Sequence, residues 1–417
     1  MTAITSQFDV VIVGGGFAGL SVAARLRRVR PQLSVAVIEP SDRHYYQPAW
    51  TLVGGGAYRI EKTCRSEAGL IPRDCAWIRA RCAGFDPGER QVSLEEGSAL
   101  RYRMLVVAAG LQCNWQRIEG LSETLGRNGV SSNYAFEHAP YTWECLRQWR
   151  GGHAVFTQPA APFKCAGAPQ KILYLAADHW RKTGVSAQLD FYNAGGAMFS
   201  VPFYSRALDV IMAQYAAEAH TGCSLVAVDG AARTAWFERQ APAGPVRESV
   251  KFDFLHVVPP QGPPEFIRQS PLGDAAGWVA VDKHTLQHVA HENIFALGDC
   301  CSAPTSKTAA AVKNQVPVVI ENLLCALEGR ALSARYDGYA SCPLVTSLGK
   351  VMLAEFCYDG QVSPSFPLDP RVPRRAYWAL KKYFLPRLYW NVILRGHSWP
   401  RTHTARSFPE RLPSLRA

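Results

Sequence analysis

The sequence has no long hydrophobic run. No segment of its 417 residues approaches the roughly 20 consecutive apolar residues that a membrane-spanning helix needs. It also lacks a low-complexity tract, an internal repeat and a block of like charge, and its composition of 48% hydrophobic and 19% charged residues is that of a globular protein. These absences argue against a spanning protein, a solenoid and a disordered chain. The length predicts two or three domains.

The spacing of the cysteines argues against two further roles. The twelve cysteines follow no framework of the kind that disulfide-rich secreted domains use, which fits a reducing compartment. Cys64, Cys75 and Cys82 lack the close pairs typical of zinc sites, and the cluster His284, His288 and His291 has no supporting carboxylate or cysteine pattern. We therefore expect no metal ion, and we expect any disulfide to be catalytic.

The ends of the sequence suggest a location. The first apolar run begins at Phe8, which leaves no room for a cleaved leader, so we expect the chain to stay on the cytoplasmic side. The formal net charge is +11, and residues 371–417 hold eleven Lys or Arg and one acid, Glu410. No recognition module for nucleic acid accompanies this charge, so we expect no nucleic-acid partner and favour an anionic membrane surface.

The clearest motif is a glycine-rich turn near the N-terminus. Residues 8–13 (FDVVIV) are typical of a buried strand, and GGGFAG follows at once and leads into the helical pattern LSVAARLRRVR. Gly14 allows the tight turn, Gly16 lets the backbone approach a pyrophosphate, and Gly19 lets the helix pack against the strand. The order of strand, turn and helix predicts a dinucleotide site.

Two neighbouring features support this prediction. The N-terminus of the predicted helix offers free N–H groups around Phe17 and Ala18 to the phosphates. A second strand, LSVAVIEP, ends in Glu39, which lies 20 residues past Gly19, where an acidic side chain accepts hydrogen bonds from the ribose hydroxyls. The alternative is a glycine-rich turn that only joins two core elements.

Two later segments indicate FAD rather than NAD. The strand ENIFALGD ends in Asp299 and resembles the strand of two-dinucleotide-binding flavoproteins whose Asp holds the ribityl chain; YRMLVVAAG, ending at Gly110, resembles their crossover strand. The Ala-rich stretch after Asp299 predicts a helix that starts near Thr308 and directs its N-terminus at the flavin, with a plain surface helix as the alternative. Pro317 should kink or shorten this helix.

A second glycine-rich turn, which would bind a nicotinamide cofactor, is missing from the middle of the chain. The strand there continues as HAVFTQPAAPFKCAGAPQ, a Pro-rich loop that holds Lys164, Cys165 and Gly167. The run of glycines that backbone approach to a phosphate requires is absent. We therefore expect an electron donor other than a nicotinamide.

Two segments place a cysteine between turn residues and an apolar run, namely PFKCAGAPQKILYLA with Cys165 and YDGYASCPLVTSLGKVMLAEF with Cys342. The motifs KCAGAPQK, TSKTAAAV, YDGYxSCPLVT, LYWNxxLRG and HYYQPAWTLVGGG resemble those of the sulfide:quinone oxidoreductase family, in its mitochondrial-type branch that also occurs in bacteria. The resemblance extends over about residues 8–397.

This resemblance implies a reaction. Hydrogen sulfide attacks a disulfide between Cys165 and Cys342, FAD passes two electrons to a membrane quinone such as ubiquinone, and the sulfane sulfur goes to glutathione, another thiol or sulfite. Cys342 carries the persulfide, and Cys165 is the thiolate beside the flavin. Ser131 and Ser132 stand where the purely bacterial branch has a third cysteine, which favours transfer of one sulfur at a time.

Several further residues are expected at the site. Lys171 and Lys307 are the cations that we expect near the cysteines, where a positive charge lowers a thiol pKa. Gln47 and Cys82 are expected to contact the flavin cofactor. The residues expected at the quinone, from their position alone, are Phe356, Tyr383 and Phe384.

The basic C-terminal tail predicts an amphipathic helix. Four basic residues share one face of that helix, with an apolar face opposite, and Pro386 interrupts it before LYWNVILRG. The basic face consists of Arg374, Arg375, Lys381 and Lys382, and the apolar face of Ala376, Tyr377, Leu380 and Phe384. We expect a helix pair in the interface of the inner (plasma) membrane, with an ordinary helix packed on the body as the alternative.

The predicted fold is α/β, with two Rossmann-like dinucleotide-binding domains of the FAD/NAD(P)-linked disulfide reductase type and a C-terminal amphipathic membrane-facing segment. Residues 1–110 and 276–340 form a discontinuous FAD-binding domain, 111–275 the second domain, and 341–417 the quinone and membrane segment. The rival functions are a type II NADH:quinone dehydrogenase, a flavocytochrome-type sulfide dehydrogenase and a non-catalytic membrane flavoprotein scaffold.

Overall fold

The computed structural model describes residues 5–242 and 244–415. Residues 1–4 lie outside these ranges, and so does Arg416 of the basic tail. The strands are β1 Thr5–Val13, β2 Val35–Ile38, β3 Arg43–Tyr45, β4 Cys64–Ser66, β5 Cys75–Ile78, β6 Cys82–Asp86, β7 Gln91–Leu94, β8 Ala99–Val107, β9 Gln112–Cys113, β10 Val130–Ser131, β11 His153–Gln158, β12 Gln188–Asn193, β13 Glu218–Thr221, β14 Cys223–Asp229, β15 Thr234–Ala241, β16 Gly244–Lys251, β17 Phe254–His256, β18 Gln261–Gly262, β19 Ile294–Ala296, β20 Ala340–Ser347 and β21 Lys350–Phe356. The α-helices are α1 Phe17–Val29, α2 Trp50–Gly54, α3 Leu121–Thr124, α4 Ala139–Gln148, α5 Ala168–Thr183, α6 Pro202–Gln214, α7 Glu265–Arg268, α8 Ala309–Leu327, α9 Arg375–Ala379 and α10 Leu385–Asn391.

The first sheet has the strand order β5-β2-β1-β8-β7-β6, and β19 pairs with the C-terminal half of β8. The pairs among β5, β2, β1, β8 and β19 are all parallel. Strand β1 is buried from Val10 onwards because α1 covers one face and apolar side chains of the core cover the other. The strands predicted at FDVVIV, YRMLVVAAG and ENIFALGD are therefore confirmed.

The second sheet has the order β10-β17-β11-β12-β13, again with parallel pairs. Helix α5 follows β11 in the way that α1 follows β1, which confirms two Rossmann-like sheets. An antiparallel sheet, β14-β15-β16, packs its inner face on this sheet through Tyr192 and Phe237, whose rings stack 3.8 Å apart. The predicted domain limits remain a prediction.

Helix α8 begins as predicted and continues further than predicted. Thr308 is its N-cap, and its side chain accepts a hydrogen bond from the backbone N–H of Ala311. The helix runs through Pro317 for 19 residues, so the expectation that this proline shortens it is wrong. Burial of residues on both sides of Pro317, including Val316 and Val318, offsets the hydrogen bond that proline cannot donate.

The C-terminal part is a β-hairpin, β20–β21, followed by helical turns. A π-helical turn at Leu380–Phe384 joins α9 to α10, and Pro386 lies in the first turn of α10, so it does not interrupt the helix. The wider turn rotates the side chains away from the 3.6-residue period. The predicted basic face is therefore wrong at Lys381, which is 6% exposed.

None of the helices within residues 5–242 and 244–415 combines the length and the apolar character that crossing a membrane requires.

Candidate functional site

The glycine-rich turn has the geometry that the motif predicts. Gly14 has a φ of +106°, a conformation that favours glycine. A Cβ on Gly19 would lie 1.8 Å from the carbonyl oxygen of Gly14, so only glycine lets α1 approach β1 this closely. A Cβ on Gly16 would meet no protein atom within 4 Å, so the backbone there faces open space. Gly14 and Gly19 therefore shape the turn, and Gly16 leaves room for a ligand.

The turn opens into a cavity of about 830 Å³, within the roughly 300–1,000 Å³ that ligand sites usually occupy. Glu39 lines it, and its two carboxylate oxygens accept hydrogen bonds from the backbone N–H groups of Gly15 and Ser41, each at 2.8 Å. Of the residues predicted to contact the cofactor, those that line the cavity are Gly14, Gly16, Phe17, Ala18, Glu39, Gln47, Gly110, Lys171, Asp299 and Lys307.

The residues at the cavity wall fit a dinucleotide. The N-terminus of α1 carries no side-chain cap, so its N–H groups are free to bind phosphate. Asn133 is buried at the wall, and neither polar atom of its side chain has a partner among the described residues. Burial raises the pKa of the Asp299 carboxyl, which lies in the turn after β19. Unpaired buried polar groups of this kind are costly unless a ligand or water satisfies them.

Cys82 does not lie where the prediction of a cofactor contact requires. It lies in β6, its thiol is 3.7 Å from the carbonyl oxygen of Gly84, and it is buried in the hydrophobic core rather than at the cavity wall. Burial raises the pKa of its thiol to about 12. The residue therefore packs as a small apolar side chain.

The two predicted cysteines meet at the cavity. Cys165 lies in the loop between β11 and α5, and Cys342 lies on β20, 177 residues further along. Their sulfur atoms are 3.0 Å apart, and both are free thiols. Cys165 has a φ of +57°, which is strained for a residue other than glycine, and a hydrogen bond of 2.9 Å from its N–H to the carbonyl oxygen of Lys307 holds it there. The predicted approach of the pair is confirmed.

The two thiols differ in their electrostatics. The hydrogen bond from the Cys342 thiol and the ammonium of Lys171, whose Nζ is 3.0 Å from the Cys165 sulfur, hold the pKa of the Cys165 thiol well below its ordinary value. Burial and the neighbouring Cys165 sulfur raise the pKa of the Cys342 thiol, which has 0% exposure. The surroundings therefore favour the thiolate form at Cys165 rather than at Cys342, and Cys165 is also the cysteine at the cavity wall.

The cations at the pair differ in part from the predicted ones. The ammonium of Lys307 donates to the carbonyl oxygen of Cys301 at 3.1 Å and lies 3.8 Å from the ring centre of Trp278, so it faces the Asp299 turn rather than the thiols. The second cation near the thiols is Lys381, which contributes to the lowered pKa of Cys165. The sequence placed Lys381 on a solvent-facing side because the pattern gave no sign of the π-helical turn.

Lys164 and Gln47 join the two halves of the cavity wall. The ammonium of Lys164 donates to the side-chain oxygen of Gln47, which connects the cysteine loop to the HYYQP segment after β2. The same lysine lies 5.9 Å from the ring centre of Trp50. These contacts place Gln47 in the cavity wall beside the cysteine loop.

The three residues expected at the quinone have different positions. Phe384 lines the cavity and is half-exposed, whereas Tyr383 points outward and Phe356 is buried against Phe199. The expected quinone contact is therefore corrected for Phe356 and Tyr383, because strand alternation directs the first and the π-helical turn directs the second away from the cavity. The apolar residues that accompany Phe384 at this end are Phe366, Leu380, Leu385, Leu388 and Trp399.

Several other polar residues at the site were not predicted. Glu355 lines the apolar end, and the only available signal was an acid among the apolar residues of a strand. Elsewhere at the cavity wall, His44 is buried between the Glu67 carboxylate, 3.1 Å from its Nδ1, and the Tyr389 hydroxyl, 2.6 Å from its Nε2. Tyr389 stacks on Phe17, with ring centres 4.4 Å apart, so α10 contacts the helix that follows the glycine turn.

Two Rossmann-like sheets around one cavity, with a glycine turn on the first and a cysteine pair at the second, define an FAD-dependent oxidoreductase of the disulfide reductase type. Residues 8–141 match the family model described as "Pyridine nucleotide-disulphide oxidoreductase".

Comparison with known proteins gives the family. The chain is 43% identical over 392 residues to "Sulfide:quinone oxidoreductase, mitochondrial" of Dictyostelium discoideum, an alignment that covers 93% of this chain and 86% of that protein. It is 39% identical over 394 residues to the protein of the same name in Mus musculus, covering 94% and 87%. The chain belongs to the sulfide:quinone oxidoreductase family.

A solved structure supports the fold independently. The sulfide:quinone oxidoreductase of Aquifex aeolicus is similar with a TM-score of 0.76, at 17% identity, over 95% of this chain and 93% of that one. Together with the sequence relatives, this favours the sulfide oxidase reading over the rival NADH dehydrogenase.

Proposed function

We propose that this protein oxidises hydrogen sulfide and reduces a membrane quinone, with Cys165 and Cys342 as the redox-active pair. The observation that carries the proposal is the 3.0 Å approach of the two sulfur atoms, with Cys165 at the wall of the FAD cavity and Lys171 beside its sulfur. A disulfide bond is about 2.05 Å long, so a movement of about 1 Å closes it. The pair therefore needs little rearrangement to cycle between thiols and disulfide.

The difference in pKa between the thiols supports an order of attack. Hydrosulfide forms a bond to the Cys342 sulfur, the bond between the two cysteines breaks, and Cys165 leaves with the electron pair as a thiolate. The thiol with the lower pKa is the better leaving group, and that thiol is Cys165. Lys171 stabilises the charge that appears there. Cys342 then holds the persulfide and transfers its outer sulfur to glutathione, another thiol or sulfite.

The chain offers groups for the remaining functions of the cofactor site. FAD, when bound, accepts the two electrons of sulfide and passes them to quinone. The N-terminus of α8, with its N-cap Thr308 at the cavity wall, presents partial positive charge to the site. Asp299 and Lys307 precede it in the chain and also line the cavity. The helix N-terminus and Lys307 would offset negative charge on the bound group, and Asp299 would help to orient it.

The C-terminal segment supports a peripheral place on the membrane. Exposed apolar side chains cluster in this segment, and three of them, Phe366, Phe384 and Trp399, also line the cavity. An apolar patch continuous with the cavity gives a quinone in the bilayer a direct path to the site. We place this patch on the cytoplasmic side of the inner (plasma) membrane, with ubiquinone as the expected quinone.

An anaerobic titration tests the proposed reaction. Sulfide should bleach the flavin absorbance of the purified protein, and a soluble ubiquinone analogue should restore it. Bleaching by NADH, with none by sulfide, would refute the proposal.

Flotation with vesicles tests the membrane contact. The protein should float with anionic vesicles, and Phe384→Asp should weaken binding without loss of FAD. Equal flotation of both forms would show that this patch is not the membrane contact.

A further inference from the structure

A buried carboxylate at the apolar end of the cavity has no part in the sulfur chemistry. Glu355 lies on β21, is 2% exposed and lines the cavity. The residues around it in the strand, from Val351 to Phe356, are otherwise apolar. Burial of an acid costs several kcal/mol unless partners compensate, so a fold that keeps this one must satisfy it locally.

Three donors satisfy Glu355, and they belong to two other segments. The hydroxyl of Tyr339 and the hydroxyl of Ser365, the latter at 2.6 Å, donate to one carboxylate oxygen. The backbone N–H of Ser365 donates to the other at 2.9 Å. The acid is thus held in one orientation at the cavity wall by the turn after the hairpin and by the residue before β20.

A hydrogen-bond chain leads from this acid to solvent. The hydroxyl of Thr402 donates to the Ser365 hydroxyl oxygen at 3.1 Å, and Thr402 is exposed. Both residues line the cavity. Hydroxyl groups both donate and accept, so protons can pass from Thr402 through Ser365 to Glu355. Glu355 is therefore connected both to water and to the cavity.

The surroundings of Glu355 suit a quinone ring. Phe366, which follows Ser365 directly, lines the cavity together with Phe384 and Trp399, whose rings are 5.7 Å apart. The other titratable groups at this end are Lys313 on α8, Tyr339 and Lys381, and His403 stacks on Tyr339. The Tyr339 hydroxyl already donates a hydrogen bond to Glu355, and burial raises the pKa of this hydroxyl well above its ordinary value, so Tyr339 is a poor acid.

We propose that Glu355 delivers a proton to the quinone oxygen during reduction, and that Ser365 and Thr402 return a proton to it from solvent. This proposal rests on the proposed function. Quinone takes up two electrons and two protons to become quinol: oxidation of hydrosulfide supplies the two electrons and one proton, and the second proton forms the O–H bond from Glu355. The carboxylate that remains is reprotonated along the Ser365–Thr402 chain, so no charge accumulates.

Separate half-reactions of the FAD-loaded enzyme test the role. In Glu355→Gln, reoxidation of the reduced enzyme by a ubiquinone analogue should slow by about 100-fold, the lower range for general acid catalysis. Reduction by sulfide should be unchanged, and so should reoxidation by ferricyanide, which accepts electrons without protons. Formate should restore part of the quinone rate in Glu355→Ala, because it replaces the lost acid. Glu248→Gln, exposed on β16, is the matched control and should behave like the unaltered enzyme.

A second variant and a spectrum guard against a misfolding artefact. Ser365→Ala keeps the acid but removes its link to solvent, so quinone reoxidation should slow by about tenfold, with an altered pH profile and an unchanged ferricyanide rate. An infrared difference spectrum between the oxidised and reduced protein should contain a carboxyl band that Glu355→Gln lacks.

Three outcomes would overturn the proposal: unchanged quinone reoxidation in Glu355→Gln, equal slowing with quinone and ferricyanide, or normal quinone reoxidation in Ser365→Ala. Failure of the unaltered protein to couple sulfide to quinone would instead refute the proposed function, so the two failures are distinguishable.

Discussion

The chain contains the same local arrangement twice, once in each Rossmann-like sheet. Strand β1 leads through a glycine turn into α1, and β11 leads through the cysteine loop into α5. Each helix has a glycine N-cap, Gly16 and Gly167, and neither N-cap makes a side-chain hydrogen bond. Each helix therefore directs the positive end of its dipole at the cavity. Helix α1 adds free N–H groups, whereas at the start of α5 the Ala168 N–H donates to the Cys165 carbonyl oxygen and Pro169 has no N–H. In the first sheet this field is suited to a pyrophosphate, and in the second it favours the Cys165 thiolate.

The two loops differ in the space that a side chain would have at the N-cap glycine. A Cβ on Gly16 would meet nothing, whereas a Cβ on Gly167 would lie 1.9 Å from the Leu344 side chain and 3.0 Å from the Cys342 sulfur. Strand β20 thus fills the position that a second dinucleotide would need. The hairpin that brings Cys342 to Cys165 therefore also occupies the space that a nicotinamide cofactor would need at this loop.

The largest expected effect comes from removing the second sulfur. Cys342→Ser should reduce the rate of sulfide-dependent flavin bleaching by on the order of 10³-fold or more, because no disulfide can form for hydrosulfide to attack. The yellow cofactor should remain bound, since Cys342 is not at the cavity wall. Stopped-flow absorbance under anaerobic conditions measures this. Cys223→Ser, buried in β14, is the control, and a Cys342→Ser enzyme that bleaches normally would refute the pairing.

Two glycine substitutions separate ligand contact from packing in the first loop. Gly16→Ala adds a methyl group to open space, so the unfolding free energy of the apoprotein should stay the same while FAD affinity falls about tenfold or more. Gly19→Ala forces a carbon atom against the Gly14 carbonyl and should destabilise the apoprotein itself. Urea unfolding and FAD titration of both variants check this, and equal destabilisation by the two would contradict the assignment.

The sequence allowed much of the first sheet to be predicted because each feature there is local. The glycine turn, Glu39 and Thr308 depend on neighbouring residues and on backbone geometry, and the structure places all of them as expected. The approach of Cys165 and Cys342 followed from family resemblance and not from any pattern, since 177 residues separate them.

The rest depended on tertiary structure. The π-helical turn at Leu380–Phe384 has no sequence signature, and it moved Lys381 into the site and Phe384 to the edge of the cavity. The role of the Glu355 carboxylate could not be predicted, because its partners Ser365 and Tyr339 lie in other segments of the chain. The antiparallel sheet of β14, β15 and β16 lies where the sequence offered little guidance.

A smaller effect should come from the cation of the second loop. Lys171→Met removes the ammonium that lies 3.0 Å from the Cys165 sulfur, so the pKa of this thiol should rise and its thiolate fraction at neutral pH should fall. The rate of alkylation of the reduced protein, followed against pH, should shift to higher pH by about one to two units. Lys62→Met, on the exposed surface, should leave the profile unchanged. An unshifted profile in Lys171→Met would mean that the helix N-terminus alone sets the pKa.

The smallest effect concerns Lys381, which has no counterpart at the first loop. Burial, and secondarily the charge of Lys171, lowers its pKa to about 7, against about 10.4 in an unfolded chain. Between these values the folded state binds fewer protons than the unfolded state, so stability should rise with pH across this window, by at most about 1.4 kcal/mol per pH unit. Lys381→Met should remove that slope.

Urea unfolding of the apoprotein at several pH values across this window measures the slope, with Lys382→Met as the neighbouring control. The two variants differ only in which side of the π-helical turn they alter, so an identical slope in both would mean that Lys381 is solvated rather than buried. A slope lost only in Lys381→Met would show that Lys381 is buried and gives up its proton in this window, so that it is a cation beside the cysteine pair only below about pH 7. At higher pH the second loop would then hold its thiolate with the Lys171 ammonium, where the first loop holds its ligand with backbone alone.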